Sequence, residues 1–324
     1  MLVTTDLITT DPLPQVNDYL IFPWLLPGRL TLMTGPTDIG KTTLTLELVA
    51  ACLRGGHVWD RYPCKKIERI LYLHGEHTLA TLQEAAKARG DIPASCVEVI
   101  HDFGPLGSSL IENCKPNSPL IRDLKETILQ LQPQLIIAEP ISAFLGTSEN
   151  DNREVRLVIN ILSALGDLCG AAVLTHHHVG KAHFDPERAK GGDIASGESR
   201  GAMAFEDAAE RVIYLKRQKD EGATHIKLET PKAKGFPVSP VTLAFDEDTL
   251  TYSHVAKPFQ ERDLITLYNR RRKYPSETVR DMVSYFRSVW KGATNSKIIL
   301  MLKRARRVGL LSLPEEEIES AREK

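Results

Sequence analysis

The decapeptide TGPTDIGKTT (34–43) constrains the fold of this chain more than any other stretch. It contains the pattern G-x-x-x-x-G-K-[ST] as Gly35, Gly40, Lys41 and Thr42. Ordinary composition would produce that pattern in a chain this long with a probability on the order of 0.01. An apolar run, LTLM (30–33), precedes it, and KTTLTLELVAACLRGG (41–56) follows with helical periodicity. Strand, glycine-bearing turn and helix in that order let backbone N–H groups and a positive helix N-terminus cradle a phosphate chain. The candidate nucleotide-binding residues are therefore Gly35, Pro36, Thr37, Asp38, Ile39, Gly40, Lys41, Thr42 and Thr43. Lys41 would neutralise the β- and γ-oxygens, and the Thr42 hydroxyl would ligate Mg²⁺. Asp38 is an anion beside an anion site, but aspartate tolerates a left-handed backbone and can turn its side chain to solvent.

Further apolar runs recur at RILYLH (69–74), VEVIH (97–101), LIIAE (135–139), AAVLTH (171–176), RVIYLK (211–216) and HIKLE (225–229), with helix-period segments at 118–132 and 152–170. Near-continuous apolar strands alternating with helices predict a mostly parallel sheet covered on both faces. The closely spaced last runs predict an antiparallel edge. The run LIIAE stops at Glu139, followed by Pro140. Glu139 is either the charged end of a core strand or a metal-supporting carboxylate, and a phosphate loop in the same chain favours the second. The residue at such a strand tip is usually Asp, and glutamate is one methylene longer. Glu76, after ILYLHG, is either a surface glutamate or a carboxylate that polarises an attacking water.

Within residues 20–246 four segments carry a resemblance: LLPGRLTLMTGPTDIGKTT, ILYLHGEH, LIIAEPISAFLGTSENDNREVR and GAAVLTHHHVGK. In this order and spacing the chain resembles the RecA-like ATPases of the hexameric helicase group, most closely the plasmid RepA-type replicative helicases. The resemblance implies ATP and Mg²⁺ as cofactors, with Glu76 as the base and Glu139 supporting the metal. It aligns the family's histidine pair, through Lys181, with His177 and His178, and puts the γ-phosphate sensor on His177, with His176 as its rival. Adjacent strand residues point oppositely, so the three histidines cannot all face one site; a zinc site is the alternative reading. Ring-shaped members complete their active site with an arginine from the neighbouring subunit. In TPKAKGFP (230–237) Lys232 and Lys234 occupy the corresponding places, and a lysine keeps the charge but loses the planar fork. The alternative there is a short basic hairpin. The span 180–202 matches the channel-lining loops, with Arg188, Lys190 and Arg200 as candidate contacts to DNA phosphates; segments of this composition are also commonly disordered. The SENDNREVR stretch (148–156) follows Glu139 in the family manner and reads equally as a polar loop with a helix cap.

Charge is unevenly distributed. Residues 258–324 hold 15 Lys and Arg against 9 Asp and Glu, so this piece is near +6 and the remainder near −7, for a total of −1. The basic piece includes PSETVRDMVSYFRSVWKGATNSKIILMLKRARRVGLLSL (275–313), which resembles a winged-helix or helix-turn-helix module. Ser276 is placed to cap its first helix, with Val279, Met282, Val283 and Phe286 inward. Ile298, Ile299, Leu302 and Ala305 face inward on the second. Lys297, Lys303, Arg304 and Arg307 are candidate DNA contacts on that second helix, beside Arg306. A helical pair that packs on the ring or binds a protein is the alternative, since charge runs are usually solvated.

Five cysteines without a C-x-x-C pair do not read as a disulfide framework, and a reducing cytosol fits best. The first twenty residues carry acids and prolines where a signal peptide needs a basic patch and an apolar run. No uncharged apolar stretch approaches the roughly 20 residues that span a bilayer.

The expected architecture is α/β: a RecA-like P-loop NTPase core over 1–256, mostly parallel with helices on both faces and an antiparallel edge. A small helical, winged-helix-like module over 257–324 follows. The expected function is a Mg²⁺-dependent ATPase acting on single-stranded DNA as a cytoplasmic homo-oligomeric ring, a hexamer by preference, in replication of a plasmid or mobile element. The alternative is an ATP-gated regulator that binds duplex DNA through the C-terminal module without unwinding. A small-molecule kinase fits poorly, because no lid-like arginine cluster or acceptor-pocket signature is present.

Overall fold

A computed structural model describes residues 14–75, 79–101, 109–113, 115–146, 149, 151–178, 200–220, 223–233, 238–255, 264–290, 293–307 and 309–321. These fall into two compact units, Tyr19–Pro258 and a second made of Met1–Asp18 with Phe259–Lys324.

In the larger unit the chain runs β1 (Leu30–Gly35), α1 (Lys41–Arg54), a hairpin of β2 (Gly56–Val58) and β3 (Tyr62–Cys64), β4 (Ile70–His74), α2 (Leu79–Arg89) and β5 (Val97–His101). It continues through a small ribbon of β6 (Ile111–Glu112) and β7 (Lys115–Pro116), α3 (Ser118–Leu131), β8 (Leu135–Glu139), α4 (Asn152–Asp167), β9 (Ala172–His178) and α5 (Arg200–Ala208). The strands β10 (Arg211–Asp220), β11 (Ala223–Ala233), β12 (Val241–Asp246) and β13 (Thr251–His254) complete it. Nine strands form one sheet in the order β13-β12-β11-β10-β1-β9-β8-β4-β5. The pairs from β10 to β5 are parallel, and those from β10 to β13 are antiparallel. The expected RecA-like P-loop fold class, with its antiparallel edge, is the one found.

Strand alternation assigns every core side chain to one of two faces. Leu30, Leu32, Leu71, Leu73, Ile136, Ala138 and Val173 pack with α3, α4 and α5 through Leu124, Ile128, Val155, Val158, Leu162 and Phe205. The residues between them on the same strands, including Tyr72, His74, Glu139 and His176, belong to the opposite face, where Thr45 of α1 meets His176. The helix starts follow local chemistry. Asn117 accepts from Leu120 N at the start of α3, and Asp151 accepts from Arg153 N and Glu154 N at the start of α4. Asp151 thus caps a helix, one of the two readings open for that stretch. Cys52 and Cys64 are free thiols with their sulfurs 3.9 Å apart.

The smaller unit contains α6 (Leu264–Lys273), α7 (Val279–Val289), α8 (Asn295–Arg307) and α9 (Glu315–Ser320). Its core includes Leu267, Met282, Phe286, Leu302 and Ile318, all with relative exposure of 0%. Thr278, not Ser276, caps α7. Its hydroxyl accepts from Asp281 N while the Asp281 carboxylate accepts from Thr278 N, a reciprocal pair that Ser276 lies too far upstream to make. Where a wing would follow α8 the chain forms α9, whose Glu315 and Glu319 pair with Arg306 and Lys303. No helix among the described residues is long and apolar enough to cross a membrane.

Candidate nucleotide-binding site

The carboxyl end of β1 turns into the phosphate loop, and two residues there adopt a left-handed backbone, Asp38 (φ 61°) and Gly40 (φ 92°). A side chain at Gly40 is excluded twice over, since a Cβ would also lie 2.6 Å from the Tyr252 hydroxyl. Gly40 caps α1 without a side-chain acceptor, so the first N–H groups of α1 have no side-chain cap. Lys41 folds back over the loop, donating to Gly35 O at 3.0 Å and Pro36 O at 2.8 Å. Arg217 of β10 donates to Asp38 O at 2.9 Å and fastens the loop from the sheet side. The Asp38 side chain is exposed, as its tolerance of this backbone allows.

Register brings the acidic tips to this loop. In the parallel pair β4–β8, His74 lies beside Glu139, and Gly75 N donates to Glu139 O at 2.8 Å. The side chain of Glu139 is 3% exposed. Its Oε2 accepts from Thr42 Oγ1 at 3.3 Å, its Oε1 accepts from the Tyr72 hydroxyl, and His176 Nδ1 contacts Oε2. Burial alone would raise its pKa, but the facing His176 ring, the Tyr72 hydroxyl and His74 outweigh that and bring it below the ordinary carboxylate value. Burial and the adjacent Glu139 push the Tyr72 hydroxyl well up, which keeps it a donor.

A cavity of about 580 Å³ opens among these groups. Thr37, Asp38, Gly40, Lys41, Thr42 and Thr43 line it from the loop and α1; Thr81, Leu82 and Ala85 line it from α2; and His74, Glu139, Pro140, His176 and His178 line it from the strand tips. The hydroxyl of Thr42 and the carboxylate of Glu139 are hard oxygen donors within one coordination sphere of each other. Mg²⁺, which takes one or two protein oxygens and completes its shell with phosphate and water, fits that pair. Among the described residues no group of three His, Cys, Asp or Glu could hold a metal ion.

The histidines sort by alternation. His176 and His178 line the cavity, whereas His177 turns to the other face, stacked on Phe205 at 4.1 Å with its Nε2 3.9 Å from Glu149. The site thus contains the rival, His176, and not the residue that the resemblance selected. Glu76, Lys234, Arg188 and Lys190 lie outside the described residues, as does the side chain of Arg200, which begins α5. The Lys232 amine donates to Glu206 O and Asp207 O at the end of α5. In the C-terminal unit, Lys303 pairs with Glu319, while Lys297, Arg304 and Arg307 are exposed.

Three contributors escaped sequence reasoning. Tyr72 reads in the sequence as an apolar strand residue. At Gly75 an added Cβ would lie 2.2 Å from Ala143 Cβ, so glycine is required next to Glu76. Arg89 ends α2 with its side chain 2% exposed, bridging Glu47 of α1 at 2.8 Å and Leu250 O at 2.8 Å. The G-E step after ILYLH was the available signal for Gly75. Tyr72 and Arg89 act across the fold and leave none.

A family model described as an AAA domain matches residues 1–183. No curated protein matches the chain at a significant level. Among solved structures, the KaiC-like protein of the hyperthermophilic archaeon Pyrococcus horikoshii superposes with a TM-score of 0.50 at 13% identity, covering 73% of this chain and 94% of its own. The ATPase domain of G40P gives a TM-score of 0.52 at 13% identity, covering 70% and 85%. At such identity the likeness is one of fold, that of the RecA-like ATPases. The matched model spans more than half the sequence and contains the loop, Glu76, Glu139 and all three adjacent histidines, and on that match the chain belongs to the AAA-domain family.

Proposed function

We propose that this protein is a Mg²⁺-dependent ATPase that works on DNA, as a RepA-type helicase or helicase-like replication motor of a plasmid or mobile element. The observation that carries the reading is the convergence of Lys41, Thr42 and Glu139 on one cavity at the carboxyl ends of the parallel strands. In this reading the loop N–H groups and Lys41 bind the phosphates and offset the charge that develops on them. Thr42 and Glu139 would hold the metal, which would supply positive charge against the phosphates. Glu76, one residue beyond Gly75, takes the proton of the attacking water. Positioning and charge stabilisation do the work, and no covalent intermediate with the protein is needed. His176, the rival of His177 for the phosphate-sensing role, is the candidate that lines the cavity. His177, stacked on Phe205, links that strand end to α5.

The likeness to an ATPase domain and the family match support hydrolysis. The resemblance of the four segments supports DNA as partner, a hexameric ring as the working form, and Lys234 in the place of the arginine finger. The test is ATP turnover with and without single-stranded DNA, together with strand displacement. Magnesium-dependent turnover stimulated by single strands, with unwinding, supports the motor.

The alternative is an ATP-gated regulator, and the C-terminal unit favours it through one feature: α7 and α8 form a helical pair whose second member exposes Arg304 and Arg307. Unstimulated hydrolysis with footprinting of a duplex site would support the regulator.

A further inference from the structure

We propose that Tyr72 and His176 are positioning residues that brace Glu139 for the metal, and that this brace is what lets a glutamate serve where an aspartate is usual. The inference rests on the proposed Mg²⁺-nucleotide site and deepens it. A glutamate has one more rotatable bond than aspartate, and an unanchored carboxylate at that distance samples several positions around a metal. Here both carboxylate oxygens are held. The Tyr72 hydroxyl donates to Oε1, and Oε2 faces both Thr42 Oγ1 and His176 Nδ1. The far nitrogen of the same ring, His176 Nε2, is 2.7 Å from Thr45 Oγ1.

Thr45 lies one helical turn beyond Thr42 on the same side of α1. The brace therefore ties the carboxylate to the very helix that carries the other metal donor. The two ring nitrogens of His176 thus join the Glu139 carboxylate to the Thr45 hydroxyl. Tyr72, His176 and Thr45 are 1%, 2% and 0% exposed. A fully satisfied buried network of this kind fixes geometry more than it adds stability.

The decisive variant is Tyr72→Phe, which keeps the buried ring and removes only the hydroxyl. Affinity for a fluorescent ATP analogue is measured with magnesium and with EDTA, alongside turnover as a function of magnesium. The account expects the analogue to bind Tyr72→Phe normally in EDTA while magnesium strengthens binding about tenfold less than in the wild type. The half-saturating magnesium for turnover should rise by a similar factor. Thr45→Val, which reaches Glu139 only through His176, should shift both readouts in the same direction by a smaller factor. It serves as the second probe if Tyr72→Phe does not fold. In a Glu139→Asp background, whose shorter arm cannot meet the hydroxyl, Tyr72→Phe should have no further effect. A wild type that binds the analogue with magnesium enhancement, and variants that leave this enhancement within twofold, overturn the brace alone. A wild type that binds no nucleotide overturns the underlying site, and the brace with it.

Discussion

The hydroxyl of Thr42 lies 3.3 Å from Oε2 of Glu139, although 97 residues separate them in the chain. Thr42 is the second residue of α1, which follows the phosphate loop, and Glu139 ends β8, two places from β1 in the sheet. In the proposed reading both ends of that contact hold one metal ion.

Lys41 is the loop cation, 5% exposed and already poised over Gly35 and Pro36. Lys41→Ala should lower turnover by about 10²–10³-fold, the scale on which removal of one charge-stabilising donor acts. Melting temperature without nucleotide should change little, and the stabilisation that magnesium-ATP confers on the wild type should disappear. Thermal denaturation with and without nucleotide checks both.

Gly75 permits the close passage of β4's exit over Ala143. Gly75→Ala forces the added methyl to within 2.2 Å of Ala143 Cβ and should displace the segment that leads into Glu76. Turnover should fall at least tenfold with little loss of nucleotide affinity, and Ala143→Gly should restore part of it. Equilibrium binding and steady-state rates on the single and double variants decide the point.

Arg89 and Glu47 form an ion pair with side chains 2% and 7% exposed. Arg89→Ala leaves a buried carboxylate without its cation, a change that costs about 3–5 kcal/mol. In a unit of this size that corresponds to a fall in melting temperature on the order of 10 °C. The pair Arg89→Met with Glu47→Leu should lose much less, because both buried charges are gone. Scanning calorimetry on the three proteins measures this.

The pH dependence follows from Glu139. Its pKa in the folded protein is lowered, against an unfolded value of about 4.3. A group shifted this way contributes stability that is present above the unfolded value and is lost as the pH falls through the folded one. The stability difference between the wild type and Glu139→Gln should therefore be constant from pH 7 to about 5 and shift against the wild type below about pH 4.3. Denaturant titrations across that range provide the check.

The chain states its fold through local signals, and these were legible. The G-x-x-x-x-G-K-T loop, the apolar runs that stop at His74 and Glu139, and the short turns of the last strands all sit within windows of ten residues or so. The elements that escaped have weak local patterns. In α2 Leu82 is the one apolar residue that is buried, so the helix shows no apolar stripe. The strands β12 and β13 are short and joined by a turn in which Leu250 takes a left-handed backbone that its sequence does not advertise.

Within the site, residue type announced Lys41, Thr42 and Glu139, whereas the partners of Glu139 depend on register. Tyr72 and His176 reach it only because three parallel strands align their alternate residues on one face. The choice between His176 and His177 is likewise a question of phase, which one sequence cannot set. At α7 the distinction between Ser276 and Thr278 is two residues, within the usual uncertainty of a helix start.

The most direct test is hydrolysis itself. Purified protein is given ATP with magnesium or with EDTA, and phosphate release is measured for the wild type and for Glu76→Gln and Glu139→Ala. The account predicts magnesium-dependent release by the wild type, with each variant reduced at least 10²-fold and Glu76→Gln still binding nucleotide. Release that is independent of magnesium, or that survives both substitutions, would contradict it.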